Sequence, residues 1–360
     1  MRCFRIAIWV CTSLLLAGSA SAEPCTTATD CSEWITVGSG SVQVLVYRSF
    51  PLETRNLDVT RALVVVHGAG RDADNYFRHA MAAAFLGDAL KNTVVISPRF
   101  ASTAGEGCAD KVAEREARWQ CNGPGRWTGG GAAVDHPDVN TFDVMDTLLT
   151  GLARRQAFPN LQTIVLAGHS AGGQFVTRYQ MANLVHDTLA VPITYVVANP
   201  SSYGYLDALR PSATVLAANV SALGPGYVAA LPEKPPPPFV PFADARNCTT
   251  YDRWPYGLKE RVGYAARLSD EQLKKQATSR RSTYLLGGLD ILPLFGFDSS
   301  CAAMAQGPTR LARGLAWVKY VNENFGASHE VRVVPSCGHN ARCMFTDNIA
   351  LGLLFPKTKS

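Results

Sequence analysis

Short apolar runs rich in β-branched residues recur along this chain, and segments with helical spacing separate them. A run that is apolar throughout is typical of a strand covered on both faces, as in a parallel sheet joined by crossover helices. We predict such strands at residues 62–66, 92–97, 163–167, 192–198, 282–286 and 330–335, and helices at 75–90, 141–155, 173–182 and 306–325. A further strand at 41–47 alternates apolar and polar residues, as a half-buried strand does. The pattern predicts one α/β domain with a doubly wound, mostly parallel sheet.

Two segments interrupt this alternation of strands and helices. Residues 99–139 form a long, glycine-rich excursion, and from about residue 199 to residue 281 no strand–helix pair is recognisable. The second segment contains four consecutive prolines at 235–238, which are stiff and serve either as a spacer or as part of a lid. We predict that both segments are insertions, the second lid-like, in a single domain spanning residues 23–360.

Residues 1–22 have the features of a secretory signal peptide. Arg2 and Arg5 precede an apolar run at 6–18, and an Ala-Ser-Ala cleavage sequence ends at Ala22. The apolar run is short for a membrane span. We therefore predict cleavage after Ala22 and export, to the periplasm or out of the cell, without a membrane anchor; a retained N-terminal anchor is the alternative.

The cysteine content agrees with export. Cys3 and Cys11 fall in the predicted signal peptide, which leaves eight of the ten cysteines, an even number suited to an oxidising compartment. Eight cysteines allow many connectivities, and we expect nearest neighbours to pair, as Cys25–Cys31, Cys108–Cys121, Cys248–Cys301 and Cys337–Cys343. Metal binding is the alternative, but no C-x-x-C occurs and no histidine lies at ligand spacing, so we predict no metal site.

The charge of the chain excludes some classes of partner. The net charge is +5, or +3 once Arg2 and Arg5 are removed, and the basic residues are dispersed. Such a distribution favours neither a nucleic-acid partner nor an anionic membrane surface. The oligomeric state is not determined by these features.

A G-x-S-x-G motif lies at residues 168–172. An apolar predicted strand precedes it and a predicted helix follows it. This is the strand–turn–helix context of a nucleophile elbow, in which a serine occupies a strained turn with its Oγ exposed above a sheet. The context, more than the five residues themselves, makes Ser170 a candidate nucleophile.

The turn at 67–70, His-Gly-Ala-Gly, ends an early buried strand. Small residues in such a turn can aim backbone N–H groups at a developing oxyanion, and the residue after the nucleophile supplies a second donor. Gly68, Ala69 and Ala171 are therefore the candidate oxyanion residues. A phosphate cradle is the alternative, but the chain has no G-x-G-x-x-G here.

Two further candidates follow late strands. Asp290 comes shortly after the predicted strand 282–286, where a carboxylate can orient an imidazole and stabilise its cation. Asp298 and Asp347 compete for this role, although neither lies just beyond a buried strand. His339 lies on a loop after the last predicted strand, a position that suits a general base.

The chain order Ser170, Asp290, His339 is the nucleophile–acid–histidine order of the α/β-hydrolase fold. Over residues 41–350 the chain resembles α/β-hydrolases, and within them it looks most similar to secreted polyhydroxybutyrate-depolymerase-like and feruloyl-esterase-like hydrolases. The resemblance implies a secreted serine hydrolase that cleaves small or oligomeric carboxylic esters through an acyl-enzyme, without a cofactor. An amidase or peptidase of the same fold and a catalytically silent binding protein are the alternatives.

Loops above the carboxyl edge of the sheet form the pocket in such folds. The two insertions carry aromatic residues that either contact a ligand or pack the insertions onto the core. They are Trp119, Trp127, Tyr203, Tyr251, Trp254 and Tyr256.

Overall fold

The computed structural model describes residues 22–38, 40, 42–212, 238–294 and 296–358. The predicted signal peptide, apart from its last residue, lies outside these ranges, and so does most of the four-proline run. Within the described ranges, no helix is long and apolar enough to cross a membrane.

The strands of the described residues form one large sheet and two small ribbons. They are β1 (Ser32–Val37), β2 (Val42–Arg48), β3 (Arg61–Val66), β4 (Thr93–Pro98), β5 (Ser102–Ala104), β6 (Trp119–Gln120), β7 (Thr163–His169), β8 (Ile193–Ala198), β9 (Leu209–Pro211), β10 (Phe239–Pro241), β11 (Ser282–Gly287) and β12 (Glu330–Val334). The large sheet has eight strands in the order β1-β2-β4-β3-β7-β8-β11-β12. Strands β1 and β2 pair antiparallel, as do β2 and β4, and the other neighbours are parallel. The mostly parallel sheet is confirmed.

Helices cover both faces of the sheet. They are α1 (Ala73–Leu86), α2 (Thr141–Ala153), α3 (Ala171–Ala182), α4 (Asp270–Ser279), α5 (Cys301–Met304), α6 (Arg310–Phe325), α7 (Ala341–Thr346) and α8 (Asn348–Leu354). Strand β3 shows why two layers form: Leu63 and Val65 pack with α1, α7 and α8, whereas Val64 and Val66 pack with α2, α3 and α6. Alternate side chains of one strand thus enter opposite layers, and the doubly wound architecture is confirmed.

All four predicted helices form, and their bounds differ most from the prediction at the end of α1 and at the start of α6. Helix α1 stops at Leu86 rather than at residue 90, since Asp88 has a positive φ of 50°. Helix α6 begins at Arg310 rather than at residue 306, because the Thr309 hydroxyl accepts a hydrogen bond from the backbone N–H of Ala312 and caps the helix there.

The two predicted insertions contain little regular structure. Residues 99–139 hold the β5–β6 ribbon and a short 3-10 turn at Trp127–Gly129. The described part of 199–281 holds the β9–β10 ribbon and the unpredicted helix α4, whose N-terminal Ser269 forms a capping box with Gln272. The indole N–H of Trp254 donates to the carbonyl of Gly129 (2.8 Å), so the second segment packs against the first.

Four disulfides connect the cysteines in the pairing that their spacing predicts. Three of them close short loops, and Cys248–Cys301 joins residues 53 positions apart. That bridge ties the segment between β8 and β11 to the start of α5. Such crosslinks are typical of proteins that fold in an oxidising compartment.

Candidate active site

Ser170 lies at the turn between β7 and α3, with φ 59° and ψ −120°. This conformation is rare for a residue with a side chain, and it is held by the Ser170 N–H bond to the Ala198 carbonyl (2.9 Å) and by the bond from Gln174 N–H to the Ser170 carbonyl (3.0 Å). The strained turn presents Oγ at the carboxyl edge of the sheet, as a nucleophile elbow does.

The motif's glycines permit a close approach between the turn and β3. A Cβ on Gly172 would lie 2.6 Å from the carbonyl oxygen of His67 and even closer to that of Val66. A Cβ on Gly168 would meet the carbonyl of Gly172 in the same way. Backbone cannot yield as a flexible side chain does, so these positions have no room for a larger residue.

His339 connects Ser170 to Asp290. Its Nε2 lies 2.9 Å from Ser170 Oγ, and its Nδ1 lies 2.7 Å from Asp290 Oδ2. Asp290 is an acceptor, so Nδ1 carries the proton of the neutral ring and Nε2 is free to accept the serine proton. The side chains of His339 and Asp290 are 7% and 1% exposed, so water has little access to this pair. A hydroxyl held this way can be deprotonated as it attacks an electrophile.

The carboxylate of Asp290 has a second partner that sequence reasoning missed. Arg310, the first residue of α6, donates from Nη1 to Asp290 Oδ1 (3.3 Å) and from Nη2 to the Leu294 carbonyl (2.8 Å). The side chains of the ion pair are 0% and 1% exposed. Arg310 therefore balances the buried charge of Asp290 and holds the carboxylate with one oxygen facing His339. No local sequence pattern marks this arginine.

The predicted oxyanion turn lies beside Ser170, and His67 sets the orientation of its backbone. The N–H of Phe100 donates to His67 Nε2 (2.9 Å), so Nδ1 carries the proton and donates to the Gly68 carbonyl (2.9 Å). Burial lowers the pKa of His67 to about 4, which keeps the ring neutral. In a trans peptide the C=O and the next N–H point in opposite directions, so this bond aims the N–H of Ala69 away from His67.

The hydroxyl of Tyr76 lies beside Gly68, one of the three predicted oxyanion residues. A Cβ on Gly68 would lie 2.6 Å from that hydroxyl. The Tyr76 hydroxyl is 3.0 Å from His169 Nδ1, and the His169 ring packs against the ring of His339 with centroids 4.7 Å apart. Gly68, Ala69 and Ala171 stay the predicted oxyanion residues; Ala171 is the first residue of α3, where a backbone N–H has no intrahelical partner.

Asn199, which follows β8, joins the loops that carry the acid and the histidine. Its Oδ1 accepts from the N–H of Gly287 (2.7 Å), and its Nδ2 donates to the carbonyl of Gly338 (3.2 Å). Asn199 is buried and has a positive φ of 45°, which asparagine tolerates better than most residues. Its place directly after a buried strand is a signal that the sequence offered.

We predict that Asn199→Ala lowers kcat while KM changes little, because the substitution frees the loops that hold Asp290 and His339 against Ser170. The unpaired N–H of Gly287 should also lower the free energy of unfolding by about 1–3 kcal/mol. Steady-state kinetics and urea unfolding measure the two effects. Asn199→Asp, which keeps the Oδ1 acceptor, should recover part of the stability. Wild-type kcat in the alanine variant would contradict the positioning role.

The two competing carboxylates, Asp298 and Asp347, have hydrogen-bond partners other than His339. The carboxylate of Asp298 accepts hydrogen bonds from Tyr256 and Ser300, and Asp347 accepts from the N–H of Ile349 at the start of α8. Among the described residues, no group of three or more His, Cys, Asp or Glu side chains could hold a metal ion.

A cavity of about 270 Å³ adjoins the site and is lined by Ala69 and Ala171, by residues of the 99–139 insertion, and by Gly296 and Asp298 of the loop that follows β11. A larger groove of about 720 Å³, between β1 and α2, contains none of the predicted site residues. The insertion aromatics are buried, and Trp127 alone among them lines the small cavity. The six are Trp119, Trp127, Tyr203, Tyr251, Trp254 and Tyr256. For the other five, packing is therefore the interpretation that the structure supports.

A central parallel sheet, a strained serine turn and a histidine beyond the last strand define the class of α/β-hydrolase folds. The sequence pattern of the alpha/beta hydrolase family matches residues 63–350, and the chain belongs to this family. The predicted fold and family resemblance are thereby confirmed. No curated protein sequence matches the chain.

Many solved structures are similar to this chain, and two of them illustrate the shared fold. One is the poly(3-hydroxybutyrate) depolymerase LpqC from Bordetella parapertussis, with a TM-score of 0.56 and 19% identity over 90% of this chain and 94% of that one. The other is poly(aspartic acid) hydrolase-1 from Sphingomonas sp. KT-1, with a TM-score of 0.58 and 20% identity over 92% of this chain and 99% of that one. At this level of sequence identity the similarity shows a shared fold.

Proposed function

We propose that this chain is an exported serine hydrolase that cleaves carboxylic esters through an acyl-enzyme. The observation that carries the proposal is the pair of contacts made by His339, 2.9 Å to Ser170 Oγ and 2.7 Å to Asp290 Oδ2. Family membership and the strained turn at Ser170 support it. Contact among all three side chains favours an enzyme over a silent binding protein.

In the proposed reaction, Ser170 Oγ attacks the ester carbonyl carbon while His339 Nε2 takes the hydroxyl proton. The negative charge that develops on the carbonyl oxygen is stabilised by the N–H groups of Ala69 and Ala171. Asp290 stabilises the imidazolium, which then protonates the departing alkoxide. Water, deprotonated by His339, attacks the acyl-serine and releases the acid. Every catalytic group in this scheme is a side chain or a backbone N–H of the protein.

Export is part of the proposal. The leader ending at Ala22 has the features of a cleavable signal peptide, and four disulfides join the eight cysteines beyond it. The active protein is then the oxidised chain from residue 23 onward.

The test is labelling of the oxidised protein with a fluorophosphonate probe, read by mass spectrometry, beside hydrolysis of short and long p-nitrophenyl esters and of a p-nitroanilide. We expect the label on Ser170 and turnover of esters. Ser170→Ala should abolish both, because no other group in the site can form the acyl-enzyme. Ser282→Ala, at the opposite edge of the sheet, is the matched control and should behave as wild type.

Each other outcome separates the alternatives. A label on Ser170 with turnover of the anilide alone would identify an amidase. A folded, oxidised protein that takes no label would contradict the serine mechanism and favour a binding protein.

A further inference from the structure

The small cavity beside the oxyanion turn is charged. Ala69 and Ala171 form its inner wall, next to Ser170, while Arg126, Asp298 and Gln174 lie further along its lining. A part of the substrate that occupies this cavity would therefore be joined to the reacting carbonyl by a short chain. The charges around the cavity determine which kind of substrate group it can bind.

Among the described residues, no acceptor lies within hydrogen-bond distance of the Nη1 and Nη2 donors of Arg126. Its Nε donates to the Gly123 carbonyl (2.7 Å), and its guanidinium lies over the ring of Tyr256, 5.4 Å from the centroid. Its Nη1 is 4.0 Å from Asp298 Oδ2, beyond hydrogen-bond distance. The side chain lines the cavity and is 18% exposed, and its hydrogen bond to Gly123 fixes its position.

The oxygens of Asp298 accept their hydrogen bonds from neutral donors and not from Arg126. Oδ2 accepts from the Tyr256 hydroxyl (2.7 Å), and Oδ1 accepts from the hydroxyl of Ser300 (2.7 Å) and from its N–H (3.1 Å). Burial raises the pKa of Asp298, but these hydrogen bonds and the charge of Arg126 bring it below the usual value. The carboxylate of Asp298 is therefore ionised, and it accepts hydrogen bonds from the neutral donors of Tyr256 and Ser300.

A second guanidinium lies behind the cavity wall. Arg178 of α3 is fully buried, and the acceptors of its hydrogen bonds among the described residues are all uncharged. They are the Pro255 and Thr128 carbonyls, the Thr128 hydroxyl, the Gln174 amide oxygen and the Ser202 hydroxyl. Gln174 and Thr128 line the cavity, so this charge is one residue away from it.

A third guanidinium, that of Arg313, is also fully buried. It donates to the Gly307 carbonyl (2.7 Å), to the Asp298 carbonyl (2.9 Å) and to the Ser201 carbonyl, and it lies over the Phe297 ring. Burial lowers the pKa of Arg178 to about 9 and that of Arg313 to about 10, and the charge of Asp298 opposes both shifts. Both arginines are cations at neutral pH.

The cavity therefore has an excess of buried positive charge. In the part of the chain that the structure describes, Arg126, Arg178 and Arg313 lie near one carboxylate, that of Asp298. Arg71, which also lines the cavity, is neutralised by Asp110 through two hydrogen bonds of 2.6 and 3.0 Å. Glu106 lies at the rim, where it is exposed and its charge is solvated. In a poorly solvated site such an excess favours an anion.

We propose that this cavity binds a carboxylate of the substrate through Arg126, so that the enzyme selects esters carrying an acidic group near the scissile bond. The planar edge of one guanidinium matches a carboxylate, and the amide of Gln174 offers a further donor. The inference rests on the proposed hydrolase function and names the class of substrate for that site.

The test uses two matched pairs of esters, each a free acid beside its methyl ester. The acyl pair is p-nitrophenyl hydrogen adipate and p-nitrophenyl methyl adipate; the alcohol pair is 3-acetoxypropanoic acid and methyl 3-acetoxypropanoate, followed by pH-stat. In at least one pair we expect kcat/KM for the acid to exceed that for the methyl ester by about 10- to 100-fold, the range for a charge-assisted hydrogen bond. The ratio should fall with added salt.

Arg126→Gln should bring this ratio to about one, whereas Arg126→Lys, which keeps the charge, should retain part of it. Arg154→Gln is the control, since Arg154 is exposed just after the end of α2 and does not line the cavity. A binding measurement independent of turnover uses Ser170→Ala protein, which should bind monomethyl adipate at least tenfold more tightly than dimethyl adipate.

A wild-type ratio near one in both pairs would overturn the inference, as would a preference that Arg126→Gln leaves unchanged. If no ester is hydrolysed, the proposed function fails, and the two adipates still decide whether the cavity selects a carboxylate. Equal binding of the two adipates would then exclude the anion site.

Discussion

Asp290→Asn is expected to lower turnover by about 10⁴-fold, the scale seen when the carboxylate of a serine–histidine–aspartate arrangement loses its charge. Asp290 Oδ2 accepts from His339 Nδ1 at 2.7 Å. An amide there can present its NH₂ group instead, which favours the wrong tautomer of the ring. Steady-state kinetics with a p-nitrophenyl ester measure the loss. Near-normal turnover would assign the acid's role to another carboxylate.

The same substitution tests the ion pair with Arg310. The pair is buried, and removal of one charge from such a pair typically costs about 3–5 kcal/mol. The asparagine side chain would still offer an oxygen to Arg310, so we expect the variant to fold with lower stability in urea. Asp347→Asn is the matched control, because Asp347 caps α8 and asparagine caps equally well. Its turnover and stability should both equal those of the wild type.

The second large effect is a loss of stability on acidification. Burial lowers the pKa of both His67 and His329 from 6.5 to about 4, and burial lowers that of His169 as well. Between pH 6.5 and about 4 the unfolded chain binds protons that the folded chain does not. The stabilisation is therefore complete above pH 6.5 and is lost as the pH falls, by about 3 kcal/mol each for His67 and His329.

Two carboxyl groups act in the opposite direction. Burial raises the pKa of Asp146 to about 6 and also raises that of Glu116, so the folded state binds protons on these groups before the unfolded state does. Their contribution to stability increases as the pH falls and offsets part of the histidine effect. With both signs included, we expect the free energy of unfolding at pH 5 to be about 3 kcal/mol lower than at pH 7.

Urea unfolding at the two pH values checks this. His329→Asn should be less stable than wild type at pH 7, since Ser282 N–H loses its acceptor, yet it should show a smaller difference between pH 7 and pH 5. The same unfolding free energy for the wild type at both pH values would show that these histidines are not buried in the neutral form.

Much of the architecture was predictable from local patterns. A strand buried on both faces is apolar throughout, and a helix repeats its apolar residues about every 3.6 positions. Both elements can therefore be recognised in a short stretch of sequence. The motif around Ser170 was recognisable because the elbow demands small residues at fixed positions. The histidine and the acid followed from the rule that functional groups of parallel sheets gather beyond the carboxyl ends of strands.

The partners of those residues were not predictable. Arg310 reaches Asp290, Asn199 bridges two loops, and the arginines behind the cavity share one carboxylate, each through contacts between segments far apart in the chain. A local sequence pattern indicates how deeply a residue is buried and on which face of its helix or strand it lies. It does not indicate which distant side chain contacts that residue. The energy and protonation of a buried charge depend on that partner. Local patterns were therefore enough to predict the fold class, the cysteine pairs and the three candidate site residues, whereas the hydrogen bonds and charges around them depend on contacts that only the folded chain makes.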